Sequence, residues 1–214
     1  MKGQMKNKGY DSVFDVLYDE AALESADYIR PYISEAIITN SGWWNIAFNK
    51  IEVQGLCIEL GVFEGKSINH FSSLDSNKTW YGFDSFIGFQ EDWKGGYFGK
   101  GDYSLKGVLP NVNKNVVLVK GFIKDTLPKF FIEHDKPISF LHVDVDTYES
   151  TIEALNIIGS KRFIPNTRIL FDEYTSYVGW KNGEFKAWKE FVEKNNIKYK
   201  YEMFAERQAL VKIV

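Results

Sequence analysis

The sequence holds a single cysteine in 214 residues, Cys57, and it lies inside an apolar run. A lone thiol makes no internal disulfide, which points to a reducing compartment. Only three histidines accompany it, and no cysteine–histidine cluster exists, so a zinc site is disfavoured. Neither sign of charge dominates: 26 Lys and Arg face 29 Asp and Glu, for a net charge of −3. Without a basic patch, nucleic acid is a poor partner. No run of about 18 apolar residues occurs, so no membrane span is expected. The opening MKGQMKNKGY lacks the apolar core of a secretory signal. The expectation is a cytoplasmic protein that meets neither membrane nor nucleic acid. Repeats and low-complexity segments are absent too.

What is present is an ordinary globular composition, 44% hydrophobic and 26% charged, rich in aromatics. The length suits one compact unit, read as an N-terminal helical cap over 1–50 and a ligand-binding domain over 51–214. In the cap, apolar residues at helical spacing predict a helix from Asp11 to about Ile29. Pro31 suits the first turn of a second helix. A third is expected over Trp43–Ile51. From Leu56 onward strands and helices alternate. Strands are predicted at Leu56–Leu60, Trp80–Phe83, Val116–Lys120, Ile138–Val145 and Arg168–Phe171. Helices are predicted at Ser67–Leu74, Leu127–His134 (with Thr126 as cap), Tyr148–Gly159 and Gly183–Asn195. Lys198–Phe204 and Gln208–Val214 are too close for a parallel crossover and read as a hairpin. Alternation of this kind implies an α/β fold with a mostly parallel sheet covered on both faces. The stretch Ile87–Lys106, with Trp93, Tyr97, Phe98 and Tyr103, is a long insertion of the kind that serves as a lid.

The chain is organised around Leu56–Ser67, LCIELGVFEGKS. It reads as a buried strand, a turn on Gly61 and Gly65, and a helix start. Ligands of α/β proteins bind at such strand ends, and glycines let them approach the backbone. Glu59, on the strand itself, argues against a simple phosphate cradle and suits a ligand bearing positive charge. The other proposed strand ends carry Asp84, Gly121, the pair Asp144 and Asp146, and the pair Asp172 and Glu173. In a parallel sheet these ends share one edge. Like charges gathered there call for a cation, whether organic or metallic. Asp84, at the end of the second strand, is placed to hold ribose hydroxyls, with a helix cap or turn residue as its bland alternative. Asp144 and Asp146, a D-x-D pair, form with Asp172 and Glu173 a hard, all-oxygen set suited to Mg²⁺. His142 shares the side of Asp144 and is a secondary candidate for catalysis.

These motifs resemble class I S-adenosylmethionine-dependent methyltransferases, and more narrowly the macrocin O-methyltransferase family, which methylates sugar hydroxyls of natural products. The resemblance is carried by IELGVFEGKS (58–67), YGFDSFIGFQEDW (81–93), VKGFIKDTLP (119–128), LHVDVDTYESTIEAL (141–155) and LFDEY (170–174). It implies a Rossmann-like, seven-stranded sheet closed by an antiparallel strand, and S-adenosylmethionine as cofactor. It also implies a Mg²⁺ ion and a small hydroxyl acceptor such as a sugar or a glycosylated or nucleotide-activated precursor. By position, Glu59, Gly61, Gly65 and Ser67 would line the methionine end of the cofactor. Asp84, Ser85 and Phe86 would serve the ribose, and Gly121 and Phe122 the adenine. Asp144, Asp172 and Glu173 would bind metal, with Asp144 also beside the cofactor. Asp146 would match the family's base. The family commonly places two aspartates where this chain has Asp172–Glu173, which touches metal geometry. A homodimer is permitted by aromatics in the first helices. The rival readings are a nicotinamide-dependent sugar oxidoreductase, which wants G-x-G-x-x-G rather than Gly61-x-x-x-Gly65, and a D-x-D metal-dependent glycosyltransferase.

Overall fold

The computed structural model describes residues 12–89 and 99–214. Trp93, Tyr97 and Phe98 of the proposed lid lie outside these residues. Eight strands form one sheet: β1 (Ile37–Ile38), β2 (Leu56–Leu60), β3 (Trp80–Asp84), β4 (Val116–Lys120), β5 (Ile138–Val143), β6 (Arg168–Phe171), β7 (Tyr199–Phe204) and β8 (Ala209–Ile213). Their spatial order is β1-β7-β8-β6-β5-β2-β3-β4. Only β8 runs against its neighbours, β6 and β7; every other pairing is parallel. The helices are α1 (Val13–Ile29), α2 (Trp43–Asn49), α3 (Lys66–Leu74), α4 (Ile123–Glu133), α5 (Tyr148–Ile158) and α6 (Glu184–Asn195).

The sequence explains the layering. Every residue of β2, β5 and β6 is buried, as expected of central parallel strands packed on both faces. Alternate side chains therefore serve two cores. Ile58, Leu60, Leu141, Val143 and Phe171 meet Leu155 and Trp188 from α5 and α6. On the other face, Cys57, Phe140 and Leu170 meet Ala47 and Phe71 from α2 and α3. Glu59 and His142 fall on this second face, in register with each other across β2 and β5. They are the polar positions in an otherwise apolar stripe.

Three expectations are corrected. The second N-terminal helix is one 3-10 turn, Arg30–Tyr32, and the chain then supplies β1. Ile37 and Ile38 are β-branched and find an open edge, pairing with Met203 and Phe204 of β7. This strand raises the sheet from the expected seven to eight. The helix expected from Leu127 starts at Ile123. Thr126 does not cap it: its hydroxyl donates to the Phe122 carbonyl at 3.0 Å from inside the helix. Finally, β5 stops at Val143, so Asp144 and Asp146 lie beyond the strand rather than on it.

Helix α1 is tied to the segment after β6. Ser25 Oγ accepts from the Ser176 amide at 2.8 Å, Tyr28 and Tyr201 share a hydroxyl hydrogen bond at 2.6 Å, and Ala21 packs with Tyr177 and Trp180. The N-terminal segment thus braces the loop that follows Asp172 and Glu173. None of the described helices is long and apolar enough to cross a membrane.

Candidate active site

The ladder continues one bond past several strand ends. The Gly61 amide donates to Phe83, Gly121 to Asp84, Asp144 to Leu60 and Asp172 to Val143, each at 2.9 Å. These bonds set Gly61, Asp84, Gly121, Asp144 and Asp172 along one rim. A cavity of about 280 Å³ opens there, lined by both apolar and acidic groups. Among the residues singled out from sequence, Gly61, Asp84, Ser85, Phe122, Asp144, Asp146, Asp172 and Glu173 line it. Glu59, Gly65, Ser67, Phe86, Gly121 and His142, also singled out from sequence, are not among the residues that line it.

Gly61 is required by its neighbours. Its φ is +84°, and a Cβ there would sit 1.8 Å from the Asp144 carbonyl oxygen. Close approach of β2 to β5 at this point is what lets the Asp144 carboxylate reach the cavity wall. Gly65, at φ +80°, turns the chain into α3. Asp84 holds the glycine turn from the side. Its Oδ2 accepts from the Val62 and Phe63 amides at 2.9 and 2.8 Å, and its Oδ1 from Phe86 at 2.7 Å. Turn capping and exposure to the cavity therefore coexist in one carboxylate, with a lone pair of Oδ1 left over.

One side of the cavity is a knot of acids. Burial raises the proton affinity of Asp144 well above the ordinary aspartate value, and the nearby Asp172 charge adds to it, while His142 opposes. Asp146 is raised to about 7 by burial and by Asp172, with Arg207 opposing. Its φ of +61° places a non-glycine residue in the left-handed region, a strained conformation of the kind that accumulates at functional sites. Glu173 is raised to about 8 by burial and by Asp146, again against Arg207. Arg207, on the β7–β8 turn, donates to both Glu173 oxygens at 3.4 and 3.3 Å. Below them Glu184, fully buried at the start of α6, accepts from the Glu173 amide at 3.0 Å. Its second oxygen has no hydrogen-bond partner among the described residues.

Behind the wall runs a second polar group. Ser67 Oγ donates to Glu59 Oε1 at 2.9 Å, and His142 Nδ1 meets Glu59 Oε2 at 2.9 Å. His142 Nε2 faces Asp172 Oδ1 at 3.6 Å. Burial acts to lower the affinity of His142 for its proton, but the nearby Asp172 carboxylate and the bond to Glu59 outweigh it and the net shift is upward.

Several site residues escaped the sequence reading. Phe63 and Phe89 stand at the cavity on either side of Tyr103, with ring centroids 5.2 and 5.3 Å away in edge-on geometry. Phe63 lay within a motif but carried no signal beyond its aromaticity. Arg207 falls between the two predicted hairpin strands and Glu184 within the predicted helix Gly183–Asn195, and only the tertiary structure brings them to the acids.

A strand–glycine turn–helix, an acid at the end of the next strand and a reversed strand inserted beside β6 define the class I methyltransferase fold, and this chain has it. Residues 108–206, just under half of the chain, match the family model of macrocin-O-methyltransferase (TylF). No curated protein matches the chain in sequence. Among solved structures, the calicheamicin methyltransferase CalS11 is similar over 97% of this chain and 99% of its own, at 16% identity and TM-score 0.67. The O-methyltransferase NovP is similar over 79% and 78%, at 20% identity and TM-score 0.59. A methyltransferase of Podospora anserina, PaMTH1, solved with S-adenosylhomocysteine, is similar over 97% and 90%, at 12% identity and TM-score 0.53. At these identities the structures speak for the fold.

Proposed function

We propose that the protein is an S-adenosylmethionine-dependent O-methyltransferase whose acceptor is a hydroxyl of a sugar or of a glycosylated or nucleotide-activated precursor. The observation that carries this reading is the convergence of a glycine turn and four carboxylates, Asp84, Asp144, Asp146 and Asp172, on one cavity. The macrocin-O-methyltransferase match over its second half supports the sugar assignment. So do the neighbours: one CalS11 structure is titled a TDP-rhamnose 3'-O-methyltransferase.

S-adenosylmethionine, when bound, supplies a methyl group on a sulfonium, already electrophilic enough for direct in-line displacement by an oxygen. The cavity suits it: Gly61 presents bare backbone, Asp84 offers an acceptor for ribose hydroxyls, and Phe122 offers an aromatic face. The protein's main task is then alignment and exclusion of water. Phe63, Phe89 and Tyr103 give the acceptor an apolar wall. Asp146, with a proton affinity near neutrality, is the group that takes the hydroxyl proton, a contribution of typically about 10²–10⁴-fold.

Mg²⁺ forms part of the proposal on donor chemistry. Asp144, Asp172 and Glu173 are hard oxygen donors whose mutual repulsion is a standing demand for positive charge. Among the described residues no three acidic or histidine side chains stand ready to hold an ion, and Glu173 is engaged by Arg207. Those three carboxylates would hold the metal, which would polarise the acceptor hydroxyl. Calorimetric titration with S-adenosylhomocysteine and with NAD⁺, followed by turnover on a panel of hexose and nucleotide-sugar acceptors with and without EDTA, tests the reading. Binding of NAD⁺ but not S-adenosylhomocysteine would overturn it. Undiminished turnover in EDTA would remove the metal alone.

A further inference from the structure

We propose that Glu59 and His142 are positioning residues that orient the Asp172 carboxylate from behind the cavity wall, and that Glu59 does not touch the cofactor. This rests on the methyltransferase reading above. The geometry is a chain of two hydrogen bonds and one longer charge contact: Ser67 Oγ to Glu59 Oε1 at 2.9 Å, Glu59 Oε2 to His142 Nδ1 at 2.9 Å, and His142 Nε2 to Asp172 Oδ1 at 3.6 Å. Glu59 and His142 are fully buried, and Asp172 is 21% exposed by side chain, so the chain starts in the core and ends at the cavity.

Three features argue that the chain is built for this end. First, both oxygens of Glu59 are spoken for inside the protein, by a hydroxyl from α3 and a ring nitrogen from β5. A carboxylate so held, with no exposed surface, is not placed to meet a ligand. Second, the His142 ring is fully buried and held by two contacts. Glu59 fixes one nitrogen, and the Phe71 ring packs on it at 5.4 Å in edge-on geometry. The ring therefore has one orientation, which aims Nε2 at Asp172. That nitrogen has no hydrogen-bond partner among the described residues, so the Asp172 oxygen is the polar atom placed to meet it. Third, the site pays for polarity in an apolar layer: neighbours on the same sheet face are Cys57, Phe140 and Leu170. Packing alone favours an apolar pair here, because a buried ion pair is often matched or exceeded in stability by hydrophobic residues of similar volume.

The last point supplies the test. The double variant Glu59→Leu/His142→Phe replaces the pair by apolar groups that suit the surrounding core. Loss of a partner of this kind typically costs about 10–100-fold in activity. The expected result is kcat reduced at least about 10-fold, S-adenosylhomocysteine affinity within about threefold of wild type, and a melting temperature at or above that of wild type. The conservative Glu59→Gln, which can still bond to both neighbours, should recover most of the lost kcat. Wild-type kcat in the double variant would overturn the proposal, since the pair would then be structural. A tenfold weaker S-adenosylhomocysteine affinity would overturn it by making Glu59 a cofactor contact. Should the double variant fail to fold, Ser67→Ala removes only the first donor and should lower kcat about threefold without changing affinity; an unchanged kcat there sinks the idea equally. Wild-type binding and turnover, measured alongside, report separately on whether the protein is a methyltransferase.

Discussion

Substituting Gly61 by alanine should be among the most damaging single-methyl changes available in this protein. Two costs add. The residue sits at φ +84°, where an L side chain crowds its own carbonyl at about 1–2 kcal/mol. Beyond that, the added Cβ would lie 1.8 Å from the Asp144 carbonyl oxygen and 2.7 Å from its carbon, both backbone atoms. No rotamer relieves that overlap. The strand ends must move apart, stretching the bond from the Asp144 amide to the Leu60 carbonyl, now 2.9 Å. Together these predict a loss of about 4 kcal/mol or more, in the range reserved for diagnostic core lesions and a large part of a domain's roughly 5–15 kcal/mol. Gly42 is the internal control. It has φ +68° with nothing within 4 Å of its virtual Cβ, so Gly42→Ala should carry the conformational term alone, about 1–2 kcal/mol. Urea unfolding of both variants measures the difference. Whatever Gly61→Ala protein remains folded should bind S-adenosylhomocysteine poorly. If the two variants unfold within about 1 kcal/mol of each other, the close-approach argument is wrong.

Two further perturbations probe charge. Glu184 has its proton affinity raised well above the ordinary glutamate value by burial, then by Asp146, so the folded state prefers it protonated. Stability from that preference is full below the unfolded pKa and is lost as pH rises through the folded one. Glu184→Gln stays neutral throughout, so its stability relative to wild type should grow from pH 5 to pH 8 in ligand-free protein; a pH-independent difference in urea midpoints would count against it. At the opposite end of β6, Arg168 is fully buried and pairs with Glu202 at 3.0 and 3.1 Å. Removing that partner in Glu202→Ala should cost about 3 kcal/mol by leaving the guanidinium under-compensated, whereas Arg168→Met/Glu202→Leu should be close to neutral by chemical denaturation.

How much of this could be read beforehand depends on whether a feature was local. The central strands are legible because a fully buried parallel strand writes itself as a largely apolar run, as ISFLHV does apart from Ser139 and His142. The acids at the strand ends were legible for a related reason: topology alone collects such ends on one rim, so Asp84, Asp144 and Asp172 needed no contact information. Strand β1 was illegible. Two isoleucines carry no periodicity, and what makes them a strand is the free edge of β7, more than 160 positions later in the chain. Arg207 and Glu184 failed for the same cause, since their importance comes from neighbours far away in sequence. Glu59 is the instructive case. Its oddity in an apolar strand is visible in the sequence and reads as the sign of a ligand. The structure supplies a second possibility, because the same alternation that buries Cys57 also delivers Glu59 to His142 across the β2–β5 register. A charged residue on a central strand therefore demands a partner first and a ligand second. The partner is the polar residue that the neighbouring strand sets opposite it, and across the β2–β5 register that residue is His142.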